Sequence, residues 1–287
     1  MKNFVNNKPS DSDRWLADWK EVRKELNKKC AYYVYEDETS EYWDKAVEIF
    51  SERLEKFYIK PLYQLIKASK DDESSQSVDT NKSEKKLEGQ GFVIVTAQCA
   101  LIETFAAFKE GKIYKDKKED EIYYYKSAEL FKKFLESEEL FQKNFGGNDK
   151  PSISDFYISV RCGLLHETRT KIKWVIKADV KNYLKKDIIT EETFAAKTSG
   201  KYIVFRNQLQ KALKDYFVQY KKDLKEEGEE YDNLRRLFAR KLDHLFDISK
   251  KEKISFEWWE YRDKQKTSCN IFSFLKKLFF RKKWGLR

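Results

Sequence analysis

Residues 91–108, GFVIVTAQCALIETFAAF, are apolar around nearly the whole circumference of a helix and decide the fold class. A segment of this length and composition also suits a membrane span. However, Gln98 and Glu103 lie inside it, and an acid near the centre of a bilayer costs roughly 2.5–3.5 kcal/mol. We therefore predict a buried helix at the centre of a mainly α core.

Helices are predicted on both sides of this segment, because apolar residues recur at helical spacing in four further stretches. These stretches are residues 12–29, 40–69 with a kink or break near Pro61, 204–225 and 229–246. Residues 70–86 contain one aliphatic residue and no aromatic residue. Such a stretch cannot bury enough apolar surface to offset its chain entropy, so it is predicted to be a disordered loop.

A second apolar helix is predicted over residues 153–167 and includes SVRCGLLHET, residues 159–168. Ser152 and Asp155 form a capping-box-like start. One face of this helix is an ordinary core face, whereas Arg161 and His166 bracket a second apolar stripe, formed by Ile158, Cys162 and Leu165. A helix with two apolar faces must be buried twice, and a symmetric homodimer would bring two copies of the stripe together.

The chemistry of Arg161 and His166 suits metal-independent RNA cleavage. The ribose 2′-OH is a built-in nucleophile, so the enzyme needs a base, an acid and a fixed cation for the phosphorane charge. The alternative from the residues alone is a buried structural pair, with Glu103 or Glu167 as the partner. Glu103 is also a candidate to orient His166 or to pair with Arg161 in an active site.

The arrangement resembles a HEPN domain of the bacterial defence and toxin type. The resemblance rests on R-x4-H from Arg161 to His166, on the upstream helix QCALIETFAAFKEG, and on VRCGLLHE, which is similar to a group of prokaryotic HEPN-like proteins. It covers roughly residues 40–247, chiefly 91–111 and 155–175. HEPN nucleases often carry Asn, Asp or His directly after the arginine, and here that position is Cys162.

The resemblance implies a homodimeric endoribonuclease of anti-phage defence or of a toxin system, in which Arg161 and His166 are catalytic. Glu103, Cys162 and Glu167 would support them, RNA would be the substrate, and an antitoxin or another defence-system protein would be a partner. Two alternatives stay open. One is a catalytically inactive HEPN-like module that binds RNA or protein, and the other is a membrane-active effector.

The basic charge is concentrated at the C-terminus. The net charge is +10, and residues 264–287 contribute +8 of it, with eight lysines and arginines and no acid. This tail is predicted to be helical and either docks on the protein body, binds RNA or lies on an anionic membrane. Its candidate RNA- or lipid-binding residues are Lys276, Lys277, Arg281, Lys282 and Lys283.

Neither a metal nor a cofactor is predicted. The four cysteines are far apart and form no CxxC pair, which argues against a zinc site and a disulfide framework. The first residues lack the apolar segment of a secretory signal, so we expect a cytoplasmic protein. We predict three regions, at residues 1–39, 40–247 and 248–287, and a small β-hairpin after the helix of residues 153–167, formed by KWVIKADV (173–180) and KYIVFR (201–206).

Two smaller features have competing interpretations. His244, the second histidine, is expected at the surface or as a helix-capping residue. Trp258, Trp259 and Tyr261 lie beside Arg262 and Lys264, and either stack on RNA bases or pack a terminal segment against the core.

Overall fold

The structure, a computed structural model, describes residues 10–29, 34–74, 89–117, 120–171, 173–186, 188–249, 251, 253 and 257–259. This part of the chain is mainly α, which confirms the predicted fold class. The helices in chain order are α1 (Asp11–Leu26), α2 (Ser40–Leu54), α3 (Lys60–Ser74), α4 (Gln90–Glu110), α5 (Ser127–Ser137), α6 (Glu139–Gln142), α7 (Ile153–Phe156), α8 (Gly163–Glu167), α9 (Arg206–Asp223) and α10 (Glu229–Leu245).

Five short strands complete the regular structure: β1 (Ile113–Tyr114), β2 (Tyr123–Tyr124), β3 (Trp174–Lys177), β4 (Ala195–Thr198) and β5 (Lys201–Phe205). Backbone contacts divide the chain into two compact units. Unit 1 comprises Met1–Glu52, Lys109–Gly111 and Lys221–Arg287, and unit 2 comprises Arg53–Phe108 and Lys112–Tyr220.

Unit 1 is organised around buried aromatic rings on α1, α2 and α10. Trp15 and Trp19 recur on one face of α1, and Trp43 and Phe50 do so on α2, because both sequences repeat apolar residues at helical spacing. The ring of Phe50 meets Phe238 of α10 edge to face, with 5.3 Å between ring centroids. Such contacts supply the large apolar area per residue that a helical core of this size needs.

The most polar part of the unit 1 core is Asp243, whose side chain is fully buried. Its carboxylate forms an ion pair with Arg23 at 2.7 Å and accepts hydrogen bonds from the indole N–H groups of Trp19, Trp258 and Trp259, at 2.9, 2.8 and 2.7 Å. Burial raises the pKa of Asp243, and the Arg23 charge and the indole donors oppose that shift. In this structure Trp258 and Trp259 therefore pack a terminal segment against the core.

Unit 2 contains α4, and ten of its residues are buried, as the apolar sequence predicts. Its Phe105 packs against Tyr216 and Phe217 of α9, with centroid distances of 5.1 and 5.9 Å. The buried amide of Gln98 donates to the Arg206 carbonyl oxygen at 2.8 Å. Among the described residues α4 alone is long and apolar enough to cross a membrane. The buried core helix of a soluble protein can have the same length and composition.

Two boundaries in unit 2 differ from the sequence predictions. The helical backbone does not break near Pro61. It runs from α2 through a π turn at Glu55–Ile59 directly into α3, which begins at Lys60. Pro61 therefore lies inside a continuous helical backbone just after this irregular turn, and its missing N–H removes one intrahelical hydrogen bond there. The loop predicted from residue 70 begins later, because α3 continues to Ser74, and residues 75–88 lie outside the described part of the chain.

The small β structure was predicted with the wrong partner geometry. Strands β3 and β5 do pair, but they run parallel, with Trp174 opposite Tyr202 and Lys177 opposite Phe205. The hairpin is instead formed by β4 and β5, which are antiparallel and joined at Ser199 and Gly200. Gly200 has a φ of +76°, which suits glycine in a tight turn. The strand order is β3-β5-β4.

Candidate functional site

The helix that carries the Arg–His motif runs from Ile153 to Glu167 and is called the motif helix below. Ser152 caps it, since its hydroxyl accepts the Asp155 backbone N–H at 3.1 Å. The helix is α at Ile153–Phe156, a π turn at Tyr157–Cys162, and α again at Gly163–Glu167. Arg161 therefore lies in a wider helical turn than the ordinary α period assumed from the sequence, and π turns occur frequently at functional sites.

The chain after the motif helix folds back along it. Thr168 adopts a left-handed conformation, with a φ of 55°, and the Arg169 N–H then donates to the Gly163 carbonyl oxygen at 3.3 Å. Further on, the Lys171 N–H donates to the Ser159 carbonyl oxygen at 3.0 Å. The return is so close that a Cβ atom at Gly163 would lie 2.5 Å from the Arg169 carbonyl oxygen. Glycine is needed here for space.

Asp155 links the motif helix to the end of the segment that folds back along it. One carboxylate oxygen accepts the Ser159 hydroxyl at 2.8 Å, and the other accepts the Trp174 indole N–H at 2.8 Å. Trp174 begins β3 and is buried, so the motif helix is tied to the small sheet as well as to the core. The position of Arg161 and His166 therefore follows from packing on the same unit.

Two side chains hold the Arg161 guanidinium. Its Nη2 donates to Glu103 Oε2 on α4 at 2.8 Å, and its guanidinium lies over the Tyr157 ring, 5.4 Å from the centroid. Burial disfavours the Arg161 charge, but the bond to Glu103 and its negative charge outweigh that effect and raise the pKa of Arg161. Arg161 is thus a permanently charged, positioned and half-buried cation.

Two tyrosines complete this group, and we call Glu103, Tyr124, Tyr157, Arg161 and Cys162 the Arg161 cluster. The Tyr124 hydroxyl donates to the second oxygen of Glu103 at 3.4 Å, and the Tyr157 hydroxyl lies 3.0 Å from that of Ser127. Burial raises the pKa of both tyrosines, Tyr124 the more strongly, so both stay neutral at physiological pH.

His166 stands apart from the cluster. It is exposed near the end of the motif helix, and no hydrogen bond to its ring is found among the residues that the structure describes. Its neighbour Glu167 forms an exposed ion pair with Arg169 at 3.1 Å. An exposed imidazole is available for proton transfer, whereas a buried structural pair of Arg161 and His166 is not what the structure contains.

The predicted dimer stripe is uncovered in the monomer. Ile158 is 45% exposed and Leu165 is 46% exposed, while Cys162 between them is half-buried. These two exposed apolar side chains and the accessible histidine lie on the same helix. The structure thus brings Arg161, Glu103 and Cys162 together and leaves His166, Ile158 and Leu165 accessible on the same helix.

The remaining predicted residues fall into two groups. His244 lies in α10 of unit 1 and is half-buried. Tyr261 and the tail residues lie outside the described residues, as does the whole segment 260–287. In the described ranges no cluster of three His, Cys, Asp or Glu side chains is arranged to hold a metal ion.

Comparison with protein-family models, with curated proteins and with solved structures found no match to this chain. The interpretation of the site therefore rests on its geometry and on the motif.

Sequence reasoning missed Tyr124, Tyr157 and Gly163. By helical spacing Tyr157 falls on the predicted core face, but a tyrosine four residues before an arginine on a helix is also a recognisable cation–π spacing. Gly163 inside an apolar helix was a signal of close backbone approach. Tyr124 gave no such signal, because it is far from Glu103 in sequence and lies in a short strand.

Proposed function

We propose that the protein is a metal-independent endoribonuclease of HEPN type that acts as a homodimer in anti-phage defence or in a toxin system. One observation carries the proposal: three features lie on the motif helix. They are Arg161, which is fixed by Glu103, the exposed His166, and the apolar stripe, which is uncovered at Ile158 and Leu165. A guanidinium has five N–H donors, and the hydrogen bond to Glu103 uses Nη2 alone. The Arg161 side chain is 14% exposed, and through this exposed part the other donors would reach a phosphate.

In the proposed reaction the 2′-OH attacks the adjacent phosphorus and loses its proton to one copy of His166. The bond between phosphorus and the 5′-oxygen breaks, and that oxygen takes a proton from the other, protonated copy. The products are a 2′,3′-cyclic phosphate and a free 5′-OH. Arg161 stabilises the charge that develops on the phosphorane oxygens. Burial of Ile158 and Leu165 against the second copy would bring the two histidines into one cleft.

The test is cleavage of single-stranded RNA by the purified protein in excess EDTA. Arg161→Ala should lower the cleavage rate about 150-fold, which corresponds to about 3 kcal/mol of lost oxyanion stabilisation. His166→Ala should abolish cleavage without lowering the thermal midpoint, because the side chain is exposed. His244→Gln is the matched control, since it changes the other histidine of the chain and should leave cleavage intact.

The dimer has its own test. Ile158→Asp should yield monomers in analytical ultracentrifugation and abolish cleavage, although Arg161 and His166 are unchanged. A wild-type monomer that cuts RNA, or cleavage that persists in His166→Ala, would overturn the mechanism. Cleavage that requires a divalent metal would do the same.

The second candidate is a catalytically inactive RNA-binding module, and the Glu103 ion pair is the observation in its favour. The Arg161 charge is already matched by a carboxylate and by the Tyr157 ring, as expected of a structural pair. In that case Glu103→Gln should lower the thermal midpoint, and wild-type protein should bind RNA without cutting it.

A further inference from the structure

Lys132, on α5, is a second cation beside the Arg161 cluster. Its ammonium donates to the Ser154 hydroxyl on the motif helix at 2.9 Å and lies over the Tyr157 ring, 5.7 Å from the ring centroid. The Arg161 guanidinium lies over the same ring, at 5.4 Å. Because both distances are measured to one centroid, their sum limits the separation of the two positive charges to about 11 Å.

No carboxylate pairs with Lys132 in the part of the chain that the structure describes. Glu129 and Glu136, which are one helical turn away on α5, are exposed and form no ion pair with it. Asp155, the acid in the first turn of the motif helix, accepts two other donors, among them the Trp174 indole. Lys132 is therefore a cation whose position is fixed but whose charge has no partner of opposite sign.

The charge of Arg161, in contrast, already has such a partner. Glu103 lies 2.8 Å away, so the Arg161–Glu103 pair carries little net charge. Such a pair can donate hydrogen bonds to a phosphate, but it attracts an anionic strand only weakly, because the attraction depends on net positive charge. Lys132 supplies the positive charge that the pair lacks.

The two cations lie at different heights along the motif helix. Ser154, which holds the Lys132 ammonium, precedes Arg161 by seven residues, and His166 follows Arg161 by five. Seven residues correspond to a rise of about 10 Å along a helix. That separation suits two phosphates of one strand and exceeds the span of a single phosphate. A strand with one phosphate at Arg161 would thus place a neighbouring phosphate at Lys132, on the side away from His166.

We propose that Lys132 binds the phosphate next to the scissile one and so positions a single RNA strand across Arg161. This inference rests on the proposed function for its substrate and for the role of Arg161. It concerns binding of the strand, whereas the bond-breaking step belongs to Arg161 and His166.

The first experiment measures binding of a labelled oligouridylate of about twelve nucleotides by fluorescence anisotropy at several salt concentrations. All variants are made in the full-length His166→Ala protein, so that cleavage cannot alter the measurement. Lys132→Gln should weaken binding about tenfold at low salt, because it removes one charge-assisted hydrogen bond. It should also reduce the slope of log affinity against log salt by about 0.7, the effect of one phosphate contact. Lys132→Arg keeps the charge and should restore both values.

Lys214→Gln is the matched control. Lys214 is exposed on α9 and, among the described residues, has no contact with Tyr157 or with the motif helix. Its substitution removes the same net charge from the protein, so a general electrostatic effect would appear in both variants. The role of Lys132 is refuted if Lys132→Gln and Lys214→Gln bind the strand with equal affinity and equal salt dependence.

The second experiment tests which phosphate Lys132 contacts. A dinucleoside monophosphate contains only the scissile phosphate, whereas a longer oligonucleotide also contains the neighbouring one. In otherwise wild-type protein, Lys132→Gln should raise KM for the oligonucleotide about tenfold with kcat unchanged, and it should leave cleavage of the dinucleoside monophosphate unaffected. An equal loss on both substrates would overturn the assignment to the neighbouring phosphate.

The two proposals can fail separately. Protein that binds the oligonucleotide through Lys132 but never cuts it would refute the endoribonuclease and support the phosphate contact. Protein that cuts RNA with an affinity independent of Lys132 would refute the phosphate contact and leave the endoribonuclease standing. Protein that binds no RNA at low salt would refute both.

Discussion

Gly163→Ala is a substitution for which local helix propensity and tertiary packing predict opposite signs. Gly163 has ordinary helical angles, with φ −58° and ψ −45°, so alanine would stabilise the helix by about 0.5–1 kcal/mol if nothing lay near it. The added Cβ would, however, lie 2.5 Å from the Arg169 carbonyl oxygen, which is backbone and cannot rotate away. The return segment would have to move.

The packing term should win. Overpacking typically costs about 1–3 kcal/mol. The movement also weakens the hydrogen bonds from Arg169 to Gly163 and from Lys171 to Ser159, each worth about 0.5–1.5 kcal/mol. After subtraction of the propensity gain, we expect a net loss of about 2 kcal/mol. For a unit of this size that loss lowers the thermal midpoint by about 4–8 °C.

The assay is thermal unfolding followed by circular dichroism, with Gly91→Ala as the control. Gly91 is also a helical glycine, but its added Cβ would meet only the ends of the Ile176 and Arg206 side chains, at 3.2 and 3.4 Å, and these can shift. Gly91→Ala should therefore change the midpoint by less than about 2 °C. A Gly163→Ala midpoint at or above the wild-type value would refute the close approach of the return segment.

Three further predictions follow from other parts of the molecule. Burial raises the pKa of the Cys99 thiol to about 12 against an ordinary 9.0, so native Cys99 should resist iodoacetamide at pH 8 while half-exposed Cys162 is labelled. Above pH 9 the free energy of unfolding should fall, because the Cys99 thiol loses its proton in the unfolded chain and keeps it in the folded protein. Equal labelling rates at Cys99 and Cys162 would contradict the burial of Cys99. Asp243→Asn should lower the free energy of unfolding in urea by about 3–5 kcal/mol, because it removes the carboxylate that is ion-paired with buried Arg23. An unchanged urea midpoint would count against the ion pair. Replacement of residues 75–86 by a short Gly/Ser linker should leave the thermal midpoint unchanged, because their sequence has too few apolar residues to join a core, and a fall of more than about 5 °C would show otherwise.

The sequence predicted the elements of the fold better than their pairing. The sequence alone predicts helices over residues 91–108 and 153–167, because the spacing of their apolar residues fits a helix and not a strand. The parallel pairing of β3 with β5 does not, since alternation determines which residues share a face but not which strand lies alongside. The π turn at Tyr157–Cys162 was also missed, because a helical wheel assumes a constant period.

The candidate site was accessible to sequence reasoning only in part. Arg161 and His166 could be named because one helix carries both at a recognisable spacing. Glu103 could be named because an acid in an apolar helix needs a partner. Tyr124 could not, because it lies in a short strand within a charged stretch, and only the fold brings its hydroxyl to Glu103.

The uneven placement of tryptophan gives the molecule two separate optical reporters. Unit 2 contains a single tryptophan, Trp174, whose indole N–H donates to Asp155 near the start of the motif helix, and the other five tryptophans that the structure describes lie in unit 1. Three of those five indoles share the Asp243 carboxylate. A Trp174→Phe protein would therefore lose the emission of unit 2, and its difference spectrum against wild type would report the motif helix. Fluorescence during denaturation can then show whether the two units melt in one step or in succession.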